Sequence, residues 1–157
     1  MSIRVVALVA LLTLASGASA CSKGVSTVST PAETSTADTT ESIVQTWMAA
    51  IQAKDPVQVA ALYSQDAIWT DEALGDRFTG RAGVERGWGI FSLPGFEIRA
   101  LDAVAVARDS AVVRWTLAGT ESPFSGKPWE VTGLSVLEIS NGLITAETVY
   151  YDSAHLR

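Results

Sequence analysis

In ESIVQTWMAAIQAKD, residues 41–55, Ile43, Trp47 and Ile51 recur at every fourth position with Val44 and Met48 beside them, while Ser42, Gln45, Ala49 and Gln52 fill the other side. That spacing predicts an amphipathic helix whose apolar stripe faces a core. Asp55 followed by Pro56 has the form of an N-cap with proline at the first helical position. PVQVAALY, residues 56–63, is therefore predicted as a second short helix packed through Val59, Leu62 and Tyr63. A strand is predicted from about Asp66 to Asp71, then a loop, then a third helix in GRAGVERGWGIF, residues 80–91. Glycine in a helix interior costs about 1 kcal/mol relative to alanine. Gly83, Gly87 and Gly89 lack the Gly-Lys-Ser/Thr or strand-bound context of a phosphate-cradling loop. Close helix packing is the better explanation for them.

From Phe96 onward the period changes to two. FEIRALDAVAVA, AVVRWTLAGT, PWEVTGLSVLEI and LITAETVYYD are β-rich runs separated by the turn signals RDS, ESPFSGK and SNG, which predicts a meander of four long antiparallel strands. In the third run Trp129, Val131, Gly133, Ser135, Leu137 and Ile139 share one face, read as the inner one, and Glu130, Thr132, Leu134, Val136 and Glu138 share the other. Arg114 is expected to form cross-strand ion pairs on the outer face, opposite Glu130, Glu138 and, further along, Glu147. The element order predicts an α+β domain: a cone-shaped, strongly curved, mostly antiparallel sheet with about three helices on its concave face, enclosing an incompletely filled pocket.

The chain of 157 residues is long enough for one compact domain. Its net charge of -6, with 11 Lys and Arg scattered singly, supplies no basic stripe for phosphates, so nucleic acid is not expected as a partner. Residues 1–20 read as a secretory signal: Arg4, an apolar run, then small residues before Cys21. The run is shorter than the roughly 20 residues a spanning helix needs. GASAC, residues 17–21, resembles a bacterial lipobox, with Ala18 where leucine is usual; the resemblance implies acylation of Cys21, and plain cleavage after Ala20 is the alternative. Residues 21–40, rich in Ser and Thr, read as a tether, and 41–157 as the globular head. The chain is thus expected outside the cytoplasm, lipid-anchored in a bacterial envelope through Cys21 or released. His155 is the one histidine and no cysteine pair exists, so neither a metal site nor a cofactor is expected.

The order AKDPVQVAALYSQDAIWTD, GRAGV, AVVRWTLAGT, SGKPWEVTGLSVLEISNGLI and YYD resembles the nuclear transport factor 2-like superfamily, and within it the SnoaL-like polyketide cyclases and ketosteroid isomerases. The resemblance covers about residues 41–152. It implies the cone fold, a possible homodimer through the sheet, and a pocket for a small hydrophobic molecule. Asp71 falls where ketosteroid isomerases place their catalytic base. Trp69, two residues earlier on the same face, is expected to help desolvate it and raise its pKa, as abstraction of a proton next to a carbonyl requires. Trp47 stands where those enzymes carry an oxyanion-stabilising tyrosine. Their second, protonated aspartate falls near Gly133 or Ser135, which cannot supply an acid. In SnoaL-like relatives an acidic residue often closes the last strand, which implies Asp152 as partner acid to Asp71. Trp47, Trp69, Trp88, Trp115 and Tyr150 are the candidate pocket walls. Two function classes follow: a cofactor-independent isomerase, cyclase or hydrolase acting on a carbonyl-type substrate, and a non-catalytic module that holds a ligand or partner in the envelope.

Overall fold

A computed structural model describes residues 36–157, with side chains from Thr40 onward. The predicted signal segment, Cys21 and the greater part of the tether lie outside the described residues. Helix α1 spans Thr36–Gln52, starting ahead of the predicted Glu41. Its extra turn is held by Thr40, which is buried and donates from Oγ1 to the Arg108 carbonyl at 2.6 Å. The predicted stripe is the buried one: Val44, Trp47 and Ile51 are sealed from solvent. Helix α2, Pro56–Ala61, is capped as expected by Asp55, whose carboxylate accepts from the backbone N–H groups of Val57 and Gln58.

Tyr63 does not belong to that helix. It opens strand β1, Tyr63–Asp71, with Tyr63, Ala67, Trp69 and Asp71 turned inward. Strand β2, Asp76–Thr79, forms a hairpin with β1 where the sequence predicts only a loop. It is a four-residue edge strand with one half-buried side chain, too short to display an alternation. Helix α3, Arg81–Gly87, then tightens into a 3-10 turn at Trp88–Ser92. The glycines of α3 mark close approach, as predicted for the helix. A Cβ at Gly83 would lie 3.2 Å from Phe78 Cβ, and one at Gly87 3.3 Å from the Trp69 ring. Gly89 has no such neighbour.

The meander follows as β3 (Glu97–Val106), β4 (Ser110–Gly119), β5 (Trp129–Ser140) and β6 (Leu143–Tyr151). The β5–β6 turn carries Asn141 at φ 51 and Gly142 at φ 78, as a tight primed hairpin turn requires. The sheet runs β2-β1-β6-β5-β4-β3, antiparallel throughout except for the parallel pair β1–β6. This is the predicted α+β arrangement of three α-helices and a curved, mostly antiparallel sheet. The inner face of β5 is the predicted set: Trp129, Val131, Gly133, Ser135, Leu137 and Ile139 are buried. Gly133 leaves room for a neighbour there, since a Cβ would lie 2.4 Å from the Trp115 ring. Arg114 pairs at 3.3 Å with Asp102 of β3, and Glu130 pairs with Arg99. Glu147 takes no part in these outer ion pairs.

Candidate ligand cavity

The covering helices do not fill the inner face. A hollow of about 230 Å³ remains between β1, β4, β5 and β6 on one side and α3 with its 3-10 turn on the other. Trp69, Trp88, Trp115, Trp129, Leu117 and Val131 supply most of its wall. Leu74, Asp76, Arg86 and Phe124 line it too and are solvent-exposed, forming its rim. The loop carrying Phe124 is fixed to the C-terminal 3-10 turn, Ser153–Leu156, because the hydroxyls of Ser122 and Ser125 both donate to the Leu156 carbonyl.

Inside the rim, three further polar side chains, Asp71, Tyr151 and Ser135, sit in this apolar lining. Asp71, at the end of β1, is 5% exposed. Its Oδ1 accepts from the backbone N–H groups of Ala73 and Leu74, both at 2.9 Å, and its Oδ2 from the Tyr151 hydroxyl at 2.8 Å. The carboxylate is thus at once a turn residue holding its own backbone and a wall of the cavity. Tyr151, at the end of β6, packs against Trp115 with the ring planes inclined at 60° and the centroids 5.7 Å apart. Burial, with the hydrogen bond to Asp71 and its charge adding to the effect, pushes the Tyr151 hydroxyl well above the ordinary tyrosine range and keeps it a neutral donor. The third group, Ser135, lies mid-strand on β5.

Behind Ser135 lies a buried polar network. Glu147 of β6 is fully enclosed; its Oε1 accepts from Ser135 Oγ at 2.6 Å and its Oε2 from the Tyr63 hydroxyl. Trp115 Nε1 donates to Ser135 Oγ at 3.1 Å, and Trp47 Nε1 to the Tyr63 hydroxyl at 2.9 Å. Desolvation raises the Glu147 carboxyl from the ordinary 4.5 to about 7, against the lowering pull of Ser135, Tyr63 and the Trp69 indole. Burial first, then the charge and hydrogen bond of Glu147, raise Tyr63 far above its ordinary range. The Trp69 N–H bears on Glu147 and the Trp88 N–H on Tyr63 electrostatically, yet neither closes to hydrogen-bond geometry.

Of the residues put forward from sequence, Asp71, Trp69, Trp88 and Trp115 line the hollow, and three others do not. Trp47 is sealed in the core beneath the network. Tyr150 is 48% exposed on the outer face, and its neighbour Tyr151 takes the inner position. Asp152 lies outside the cavity: its exposed side chain caps the C-terminal turn through the Ala154 N–H and sits 3.9 Å from His155. The side-chain partner of Asp71 is thus Tyr151 and not Asp152, and the buried carboxyl beside Ser135 is Glu147 of the next strand.

The misplacement on β6 has a physical origin. Pairing of β5 and β6 slips by one residue between Glu138 and Ile139, and both alternations of VYY present an aromatic. The slip reverses the alternation, so that Ile144 before it and Glu147, Val149 and Tyr151 beyond it all face inward. The available signal was Val149, an apolar residue in phase with Tyr151.

Comparison with known families supplies the lineage. The family model described as the SnoaL-like domain matches residues 44–147. The chain belongs to the SnoaL-like domain family. Solved structures with similar architecture include a candidate polyketide cyclase from Xanthomonas campestris pv. campestris, at TM-score 0.65 and 19% identity over 78% of this chain and 100% of that one. A protein with a ketosteroid isomerase-like fold from Catenulispora acidiphila, solved with trimethylamine, aligns at TM-score 0.59 and 22% identity over 74% of this chain and 90% of that one. TerC, co-crystallised with polyporic acid, aligns at 0.61 and 18% over 74% and 93%. At such identities the likeness of this SnoaL-like domain to them is one of fold. A comparison with curated proteins finds no match.

Proposed function

We propose that this SnoaL-like domain binds a small, largely apolar molecule bearing a polar oxygen or nitrogen, with Asp71 and Tyr151 reading the polar group. One observation carries the reading: a hollow of about 230 Å³, walled by tryptophans, has that hydrogen-bonded pair set in its wall. An apolar cavity of about 150 Å³ holds benzene, so this one suits a molecule somewhat larger than a single ring. That two structural relatives were solved with small molecules supports the reading. Calorimetric titration with bicyclic ligands such as 1-indanone tests it: the native head binds, and Val131→Phe, which projects bulk into the hollow, does not. Equal binding by that variant places the ligand elsewhere.

The enclosure of Asp71 beside Tyr151 favours a second reading, in which Asp71 is the base of a cofactor-independent reaction at a carbon next to a carbonyl. Exchange of the α-protons of 1-indanone into heavy water, followed by NMR, then depends on Asp71; Asp71→Asn binds the ketone and does not exchange it. The leader pattern ending at Cys21 supports export and an acylated, envelope-tethered head, and intact mass of membrane-extracted protein checks it through acyl mass on Cys21. Leu134 and Tyr150, exposed side by side on the outer face of the central strands β5 and β6, support a homodimer through the sheet, which sedimentation checks.

A further inference from the structure

We propose that the cavity selects a positively charged ligand, an amine or quaternary ammonium on an apolar body, with Asp76 and Asp71 holding the cation at its mouth. The inference rests on the hollow being a ligand site and adds the charge of what enters it.

The β1–β2 hairpin presents two cross-strand pairs to the hollow. Asp71 stands directly opposite Asp76, and Trp69, two residues before Asp71, stands opposite Phe78; all four side chains line the cavity. Like charges directly opposite one another on adjacent strands are destabilising. Folding alone therefore does not favour this acidic pair. The turn needs only one of the two: Asp71 caps it through the N–H groups of Ala73 and Leu74. Among the described residues the Asp76 carboxylate has neither a hydrogen bond nor an ion pair.

Neighbouring charges do not offset the pair. Arg86, in the last turn of α3, lines the hollow, yet among the described residues it forms no ion pair with either acid. Arg77, of opposite parity on β2, and Glu72, in the loop, do not line the hollow. The charged lining is thus two adjoining acids and one base. Tyr151 connects the acids, since its hydroxyl donates to Asp71 Oδ2 and feels the charge of both carboxylates. An anionic ligand adds to this local excess of negative charge and a neutral one leaves it; a cation relieves it. Asp76 is exposed and can touch the cation, whereas Asp71, buried and held by three hydrogen bonds, acts chiefly through its charge. Indole faces attract cations, so Trp69, beside the acids on the same face of the hairpin, strengthens the preference while it packs the apolar body. A metal ion is the poorer fit, because the described residues contain no group of three or more side chains placed to hold one.

The test compares three ligands on one bicyclic frame: 1-aminoindane, 1-indanol and indane-1-carboxylate, which at neutral pH are cationic, neutral and anionic. Calorimetric titration at low salt is expected to rank them in that order, the amine binding about five- to tenfold tighter than the alcohol. Added salt shrinks the advantage. Asp76→Asn removes the like-charge pair and keeps the cap of Asp71; it should cut the advantage of the amine by about three- to fivefold and leave the alcohol unchanged. Arg86→Gln removes the opposing charge and tightens the amine by about twofold, so it carries the test if the asparagine variant misfolds. An amine that binds no tighter than the alcohol overturns the proposal, as does an undiminished advantage in Asp76→Asn. A carboxylate that ranks first and loses that rank in Arg86→Gln overturns it too and assigns the mouth to an anion. Amine binding that survives in Val131→Phe places the cation outside the hollow and has the same effect. Failure of all three ligands to bind removes the ligand cavity itself, whereas alcohol binding without preference for the amine removes only the selection by charge.

Discussion

The inner face of the sheet carries two buried carboxylates in contrasting surroundings. Glu147 lies at the packed end, where Trp47, Tyr63 and Leu137 leave no space and every donor near the carboxyl is a side chain. Asp71 lies at the hollow end, where two of its three donors are backbone N–H groups of its own turn and one flank faces the cavity. A polar group in a packed core must be satisfied by fixed partners, or it costs about as much as a lost hydrogen bond. At the hollow end the missing partner can be a ligand. Stability should therefore be concentrated at Glu147 and chemistry at Asp71, a contrast that mutation and pH can break.

The largest effect is expected at the packed end from Trp47→Ala. It empties a fully buried indole and removes the donor to Tyr63, so denaturant unfolding should show a loss of about 3–5 kcal/mol. A loss below about 1 kcal/mol would mean that the helix and the network are not the support they are taken to be.

Next comes the pH dependence of Glu147. Its folded-state value, about 7, lies above the ordinary 4.5. Its contribution to stability is therefore complete below about 4.5, declines as the unfolded chain ionises while the folded one does not, and is lost once pH passes about 7. The gap corresponds to roughly 3 kcal/mol. Glu147→Gln should abolish this decline, so the variant gains on the native head between pH 4.5 and pH 8 by about that amount, measured as the difference between their unfolding free energies. An unchanged difference across that interval would place Glu147 in water.

How much of this contrast could be read in the sequence follows from the range of the interactions that create it. The stripe of α1 and the alternation of β5 are local, so Trp47, Ile51, Val131 and Leu137 declared themselves as core. Asp71 was legible because Trp69 shares its parity and the strand ends in a turn that its carboxylate can cap. Parity on β6 was not, since it depends on a slip in pairing with β5, and Tyr150 and Tyr151 are interchangeable until that slip is known. Glu147 was hidden for a further reason. A glutamate between Ala146 and Thr148 in an alternating strand reads as an outward charge, and only the hydroxyls of Tyr63 and Ser135, distant in sequence, make its burial tolerable. β2 escaped because four residues with one half-buried side chain carry no pattern.

The finest comparison makes the same chemical change at both ends. Tyr63→Phe removes the donor to Glu147 Oε2 and the acceptor of the Trp47 N–H, leaving two buried groups unmatched, and is expected to cost about 2–3 kcal/mol. Tyr151→Phe removes one of three donors to Asp71, whose Oδ1 keeps both backbone bonds, while Oδ2 faces a cavity that water or ligand can enter. Its expected cost to stability is the smallest here, about 1 kcal/mol or less. The consequence for binding is reversed. Tyr151 lines the hollow and Tyr63 does not, so calorimetric affinity for 1-indanone should fall in Tyr151→Phe and stay near native in Tyr63→Phe at a pH where that variant is folded. Equal stability losses, or an affinity loss confined to Tyr63→Phe, would mean that the two ends of the sheet are not divided between holding the fold and meeting a ligand.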